Sequence, residues 1–382
     1  MVNLTTLLCA EAPAADDLRY GRHRAGVRRP VVVWTATRSC NLACKHCYSA
    51  SLKRTYPGEL STSEAEALID DLAAMPAARL LVSGGEPLLR PDVLGMIRRA
   101  HRGGLLTTLS TNGTALARPA MADAVAASGV SYVGISFDGV GEVHDRFRGE
   151  QGAFDRSLAG VRNLVARGQR VGLRTTLTRS SVSRLDEVFA LVADEGFSRA
   201  CFYHLAPAGR GRRADDERLG AEETREAVDR IIAFADGMRR ERPDVEVLTV
   251  ANAADGPRLV GWLEERGRDA SSVRARLARS GGDRSGVALA HVSSTGEVHP
   301  DQFSWTTRLG SVRDRPFSRI WTDAQGVLAD LRDRRGRIGG RCADCRFLDL
   351  CGGNLRMRAE VAGGDPWGAD PGCYLRDAEV AA

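Results

Sequence analysis

Between residues 31 and 205, short apolar runs alternate six times with segments of helical periodicity, and this rhythm constrains the fold more than anything else in the chain. The strand-like runs are 31–34, 79–83, 105–110, 132–137, 171–177 and 200–205. Helices are expected between them, over about 61–75, 91–102, 119–127, 154–167 and 184–195. Ser61 and Glu64 have the spacing of a capping box at the start of the first. A βαβα order implies an α/β protein with a parallel sheet and right-handed crossovers. Strands of about five residues suit a curved sheet or partial barrel. An open doubly wound sheet would show the same local pattern.

After residue 205 the rhythm changes. Residues 206–220 are rich in Gly and Arg and read as a surface loop; 222–240 is a long helix. Residues 262–279 look helical but interrupted at Gly267, and 287–292 with 297–299 reads as a hairpin around Ser294-Thr295-Gly296. Residues 316–331 have helical character. This divides the chain into an irregular lead-in (1–30), a core (31–220), a helical connector (221–285) and a C-terminal region (286–382).

Hydrophobic content of 43% in 382 residues supports a sizeable core, and a net charge of +5 gives no reason to expect nucleic acid as a partner. Lys45 and Lys53 are the only lysines, so arginine is the default cation here and its clusters carry little information. The run Arg210, Arg212 and Arg213 reads as a solvated loop. No apolar stretch approaches the ~18 residues of a membrane helix, and no basic segment precedes a signal-like run. A cytoplasmic protein is expected, with its cysteines reduced.

Seven of the nine cysteines fall into two groups. Cys40, Cys44 and Cys47 follow the first strand with the spacing C-x3-C-x2-C. Three thiolates on one loop can hold three corners of a cubane cluster and leave a fourth iron open to a small molecule. Zinc in a structural site takes four ligands, and His46 is awkwardly placed to be the fourth. After the next strand comes Ser83-Gly84-Gly85-Glu86-Pro87, where two glycines allow close backbone approach to a ligand. The second group is Cys342, Cys345, Cys351 and Cys373; its spacing suits zinc and an iron–sulfur cluster equally. Cys9 and Cys201 read as bystanders, Cys201 as core.

The cysteine loop followed by Gly-Gly-Glu-Pro after the second strand resembles the radical S-adenosylmethionine (SAM) superfamily over residues 31–205. That resemblance implies a partial TIM-type (β/α)6 barrel, with a 4Fe–4S cluster on Cys40, Cys44 and Cys47 and SAM chelating the open iron. One electron would then cleave SAM to a 5′-deoxyadenosyl radical that abstracts hydrogen from an unactivated carbon. It further implies SAM contacts: Gly84, Gly85 and Glu86 at the methionine amino group, His46 near the adenine, Ser136 and Asp138 at the ribose, Arg174 at the carboxylate. Asn112 ends the third strand beside them.

The C-terminal group resembles the SPASM/twitch extension, which carries auxiliary clusters. Leu355 and Asp301 stand where that family has cysteines, so one auxiliary 4Fe–4S cluster is expected rather than two. Longer stretches, among them Cys44-Lys45-His46-Cys47-Tyr48-Ser49 and Arg346-Phe347-Leu348-Asp349-Leu350-Cys351-Gly352-Gly353-Asn354, are similar to the NirJ family of haem d1 biosynthesis. This implies a tetrapyrrole substrate, didecarboxysiroheme, from which propionate side chains are removed, and a flavodoxin or ferredoxin as electron donor. Related haem-pathway enzymes act on acetate or propionate chains. Tyr203, His204, His291, His299, Asp301 and Gln302 are candidates for the substrate face, with ordinary packing the favoured reading for His291. Competing readings are a peptide-modifying radical SAM enzyme, for which residues 1–30 look too short and polar, and a structural zinc module, in which Gly84–Pro87 would have no role.

Overall fold

The computed structural model describes residues 1–9, 30–76, 78–323 and 325–381. Its strands are β1 (Val2–Asn3), β2 (Val31–Thr37), β3 (Arg79–Gly84), β4 (Leu106–Thr111), β5 (Tyr132–Ser136), β6 (Val171–Leu177), β7 (Arg199–His204), β8 (Glu246–Val250), β9 (Leu289–Val292), β10 (Glu297–His299) and β11 (Gly310–Ser311). All eleven belong to one sheet, ordered β1-β8-β7-β6-β5-β4-β3-β2-β9-β10-β11.

β2 to β7 are the six expected strands, all parallel and adjacent in chain order. A sequential order has no point where the winding reverses, so every crossover packs on the same face. That excludes the doubly wound alternative, which needs such a switch point, and leaves the barrel-type winding. The helices between these strands lie where periodicity placed them. Thr62–Ala74 opens on a complete capping box: the Ser61 side chain accepts from Glu64 N–H, and the Glu64 carboxylate accepts from Ser61 N–H. Its Ala65, Leu68, Ile69 and Leu72 are buried, the i, i+3, i+4, i+7 stripe that drives it onto the sheet. Trp34, Phe137, Phe197 and Phe202 are fully buried in the same core.

Four sequence expectations are corrected. The lead-in is ordered at its start: β1 pairs antiparallel with β8, and Leu4–Leu8 is a buried helix. Arg276 secures that helix by donating to Thr6 O at 2.9 Å and Leu7 O at 2.8 Å. The stretch 10–29 lies outside the described residues. Within 221–285, β8 is a seventh parallel strand beside β7, not part of a helical run. The helix expected over 262–279 is two, Asp255–Glu264 and Ser271–Ser280, broken where Gly267 takes φ +65. The one over 316–331 is also two, Phe317–Asp323 and Val327–Arg332. The hairpin is present as β9–β10, and β9 pairs parallel with β2. The C-terminal region therefore extends the core sheet directly.

Candidate active site

The cysteine loop leaves the C-terminal end of β2 and is docked by three neighbours. Ala43 N–H donates to Arg148 O and Lys45 N–H to Phe147 O, each at 3.1 Å, so the loop satisfies the last carbonyls of the helix Glu142–Arg148. Arg210 reaches in from the loop after β7: its Nε donates to Cys44 O at 2.7 Å, its Nη1 to Ser51 O at 2.8 Å, and its backbone N–H to Cys47 O at 2.9 Å. Arg210 is thus a clamp on the cysteine loop, correcting the reading of 206–220 as solvated surface. Asn41 is held by Asn112 Nδ2 at 2.8 Å.

Each of the three sulfurs faces an N–H donor: Leu42 N to Cys40 at 3.4 Å, Ser51 N to Cys47 at 3.4 Å, and Arg148 Nη1 to Cys44 at 3.6 Å. Donors aimed at sulfur suit thiolates. Burial meanwhile pushes the Cys40 thiol up to about 12 and raises Cys44 as well. Ligation by a cationic centre supplies the missing stabilisation of the anions. The donor set therefore fits an iron–sulfur cluster.

Gly84 and Gly85 serve a different approach from the one expected. A Cβ on Gly84, whose φ is +148, would fall on Thr37 O, and one on Gly85 would fall on Ser39 O and lie 2.7 Å from Arg38 O. Gly85 N–H donates to Thr37 O at 2.7 Å and Glu86 N–H to Ser39 O at 2.9 Å. The backbone these glycines admit is the base of the cysteine loop itself. Glu86 is buried and its carboxylate accepts from Leu88 N–H at 3.0 Å, Thr111 Oγ1 at 2.8 Å and Asn112 N–H at 2.8 Å. Gly85→Ala is expected to destabilise the fold by about 3 kcal/mol, the range for forced overpacking. A urea midpoint and the iron bound on reconstitution should both fall; an unchanged midpoint would refute the close-approach argument.

Beside the loop, at the C-terminal ends of β2 to β7, lies a solvent-connected cavity of about 130 Å³. His46, Ser136 and Arg174, three of the residues the resemblance assigns to SAM, line it. The His46 ring sits 4.9 Å from Phe147, and burial lowers its pKa to about 4, so it is neutral near pH 7. Arg174 crosses the inner face above Gly134, where an added Cβ would lie 2.7 Å from Arg174 Cδ. Its guanidinium lies 4.8 Å from the Tyr203 ring, and among the described residues no carboxylate pairs with it. A partly buried cation without a carboxylate partner suits an anionic ligand group. Gly84, Gly85, Glu86, Asn112 and Asp138 do not line the cavity. Asp138 is fully buried and spent on Arg148 and the Thr176 N–H, which corrects its expected place at a ribose.

Of the substrate-face candidates, Tyr203, His204 and Gln302 line the cavity. His291 and His299 do not: both are buried and stack on each other at 5.5 Å, with His291 Nε2 2.9 Å from Thr35 Oγ1. Asp301 caps a local turn, accepting from Phe303 N–H at 2.7 Å and Ser304 Oγ at 2.8 Å. Sequence assigns no role at the site to Tyr48 or Arg148 and reads Arg210 as part of a solvated run; nothing in their local spacing distinguishes them from surface residues.

The family model of the Radical SAM superfamily matches residues 34–192, from β2 to the helix after β6. The Fe-coproporphyrin III synthase of Methanosarcina barkeri is 42% identical over 395 residues, covering 100% of this chain and 99% of that protein. The chain belongs to the radical SAM superfamily. The pre-heme d1 synthase of Dinoroseobacter shibae is 41% identical over 358 residues, covering 93% of this chain and 88% of that one. The crystal structure of Streptococcus suis SuiB bound to S-adenosylmethionine shares the fold, with a TM-score of 0.72 at 15% identity over 91% of this chain and 78% of that chain. This radical SAM enzyme accordingly uses SAM and a 4Fe–4S cluster. Among the described residues, no helix is long and apolar enough to cross a membrane.

Beyond the radical SAM match, the second cysteine group lies in a loop-rich segment. Cys351 closes the short helix Leu348–Cys351, and Phe347 N–H donates to Cys345 Sγ at 3.4 Å. Burial, and then the Cys373, Cys342 and Cys345 sulfurs, push the Cys351 thiol well above its ordinary value. The four thiols thus share one neighbourhood despite the long gap before Cys373. Leu355 is buried against Ala208 and Met357, with Tyr48 and Phe303 packed on the same cluster. An apolar patch occupies the place of the family's additional cysteine. Cys201 is buried in β7, as expected.

Proposed function

We propose that this radical SAM enzyme removes carboxylate side chains from an iron tetrapyrrole, with didecarboxysiroheme as substrate, in a haem-type biosynthetic route. One observation carries the reading. Identity of 41–42% to an Fe-coproporphyrin III synthase and a pre-heme d1 synthase runs over nearly the whole chain, well past the radical SAM match. Sequence resemblance pointed to propionate removal on the way to haem d1. A second reading is conversion to Fe-coproporphyrin III, which must spare propionates and take the shorter acid chains. Coverage of 99% of the Fe-coproporphyrin III synthase against 88% of the pre-heme d1 synthase favours this second reading.

The cluster and SAM, when bound, supply one-electron hydrogen abstraction from carbon. Cys40, Cys44 and Cys47 hold the cluster. His46 flanks the adenine, Ser136 the ribose, and Arg174 the SAM carboxylate, while Gly84 and Gly85 admit the base of the cysteine loop that carries the cluster. Glu86, Asn112 and Asp138 act from behind the wall by keeping the loop in place. Tyr203, His204 and Gln302 face the substrate. Cys342, Cys345, Cys351 and Cys373 hold an auxiliary 4Fe–4S cluster, and a flavodoxin or ferredoxin delivers the electron.

The test is anaerobic incubation of the reconstituted protein with SAM, a reductant and didecarboxysiroheme, with product masses read by LC–MS. Fe-coproporphyrin III supports the second reading, and loss of propionates the haem d1 route. 5′-Deoxyadenosine with unchanged tetrapyrrole would refute the substrate assignment.

A further inference from the structure

The three cluster thiolates are not equivalent. Cys40 and Cys47 face neutral backbone amides, at 3.4 Å in each case, whereas Cys44 alone faces a guanidinium, Arg148 Nη1 at 3.6 Å. Arg148 is only 6% exposed. Its Nη2 pairs with Asp138 Oδ2 at 2.6 Å, and no other carboxylate among the described residues is within ion-pair reach of it. Asp138 is in turn immobilised: Thr176 N–H donates to Oδ1 at 2.8 Å, and His46 Nε2 stands 3.5 Å from Oδ2. The Arg148 guanidinium therefore joins Asp138 to Cys44, with one Nη on the carboxylate and the other on the sulfur.

Packing does not account for this arrangement. A buried ion pair stabilises a fold little or not at all compared with apolar residues of similar volume, and the short helix carrying Arg148 already docks the loop through its backbone carbonyls. An Fe–S cluster, by contrast, responds to net charge and to hydrogen bonds on its sulfurs, and both act strongly where water is excluded. Reduction adds negative charge to the cluster and its thiolates. A fixed cation near Cys44 stabilises that reduced state more than the oxidised one. Asp138 opposes it from further away, and so moderates the effect while aiming the guanidinium.

We propose that Arg148, oriented by Asp138, is a positioning residue that sets the reduction potential of the radical SAM cluster through Cys44. The proposal rests on the cluster at Cys40, Cys44 and Cys47 and holds for any substrate.

The experiment is an EPR-monitored redox titration of the reconstituted full-length protein without substrate. The radical SAM cluster is recognised by the change in its signal when SAM is added, and iron content is measured alongside. Arg148→Gln should reduce the ratio of reduced to oxidised cluster at a fixed potential about tenfold, a downward shift of about 59 mV for one electron. Asp138→Asn, which leaves the cation uncompensated, should shift it upward. Arg148→Lys, with its charge kept but one partner lost, should fall between wild type and Arg148→Gln. Opposite signs are what electrostatics requires, since simple loosening of the loop would move both variants the same way. An unchanged potential in iron-replete Arg148→Gln, or shifts of the same sign in Arg148→Gln and Asp138→Asn, would overturn the proposal. Should Arg148→Gln fail to take up iron, Asp138→Asn decides: without an upward shift the proposal fails.

Discussion

Cys44→Ala is expected to abolish 5′-deoxyadenosine formation, a loss of roughly a thousandfold or more, as for removal of one member of a group that acts as a unit. Three thiolates are the minimum that leaves one iron open for SAM, so losing one removes the cluster rather than weakening it. Cys44 is also the one of the three tied to two arginine side chains. Its carbonyl takes the Arg210 Nε, and its sulfur takes Arg148 Nη1. The variant leaves that guanidinium buried beside a methyl group, paired only with Asp138. Iron on reconstitution should fall from about eight to about four per chain if the auxiliary cluster forms independently. The measurement is HPLC of nucleosides after anaerobic turnover, with circular dichroism as a check on folding. Deoxyadenosine at even a tenth of the wild-type level would remove Cys44 from the ligand set.

Cys345→Ala should give the complementary pattern. SAM cleavage should persist within a few-fold, while tetrapyrrole product falls by about a hundredfold or more, since losing even a hydrogen-bond partner of a metal ligand costs about 10–100-fold and here the ligand itself is lost. The two cysteine groups lie on different parts of the fold, and no hydrogen bond among the described residues joins Cys345 to the first loop. The second group does connect to the cavity. Tyr374, next to Cys373, donates to Asp255 Oδ1 at 2.7 Å, and Asp255 Oδ2 is 2.9 Å from His204 Nε2 on the cavity wall. Asn252 completes the link: its Nδ2 donates to Gly372 O at 2.9 Å, and its Oδ1 accepts from Asn354 Nδ2 at 2.6 Å. Loss of a ligand to the auxiliary cluster loosens this segment and hence the substrate face, without touching the SAM side. Paired assays of deoxyadenosine and tetrapyrrole product test this. Full product formation in the variant would show that the auxiliary site has no part in the reaction.

The six core strands were legible because each carries a run of apolar residues long enough to declare its period, and their helices because one face of each is apolar. β8 carries the same kind of run, Val245-Glu246-Val247-Leu248-Thr249-Val250, but its place after a long helix put it with the connector; its membership of the core sheet is decided by its hydrogen bonds to β7. β1, with two residues, has no period at all. Within the site, the segment Gly84–Glu86 was recognisable as a place where backbone must come close, but not as to what it approaches. Asp138, Asn112 and His299 were assigned by position to ligand or substrate, and each proved to be engaged inside the protein. Arg148 and Arg210 gave no signal, because in a chain whose basic residues are almost all arginine a buried clamp and a solvated surface residue read alike.

The sequence by itself determined the parallel α/β core and the presence of a three-thiolate loop after its first strand. Both are written in short-range spacing: hydrophobic period in one case, cysteines a turn apart in the other. Only the tertiary structure decided which side chains face the cavity, which hold the cysteine loop, and that one sulfur of the three meets a cation. Side-chain direction at a strand end depends on register and on the neighbour across the barrel, and those neighbours lie scores of residues away along the chain.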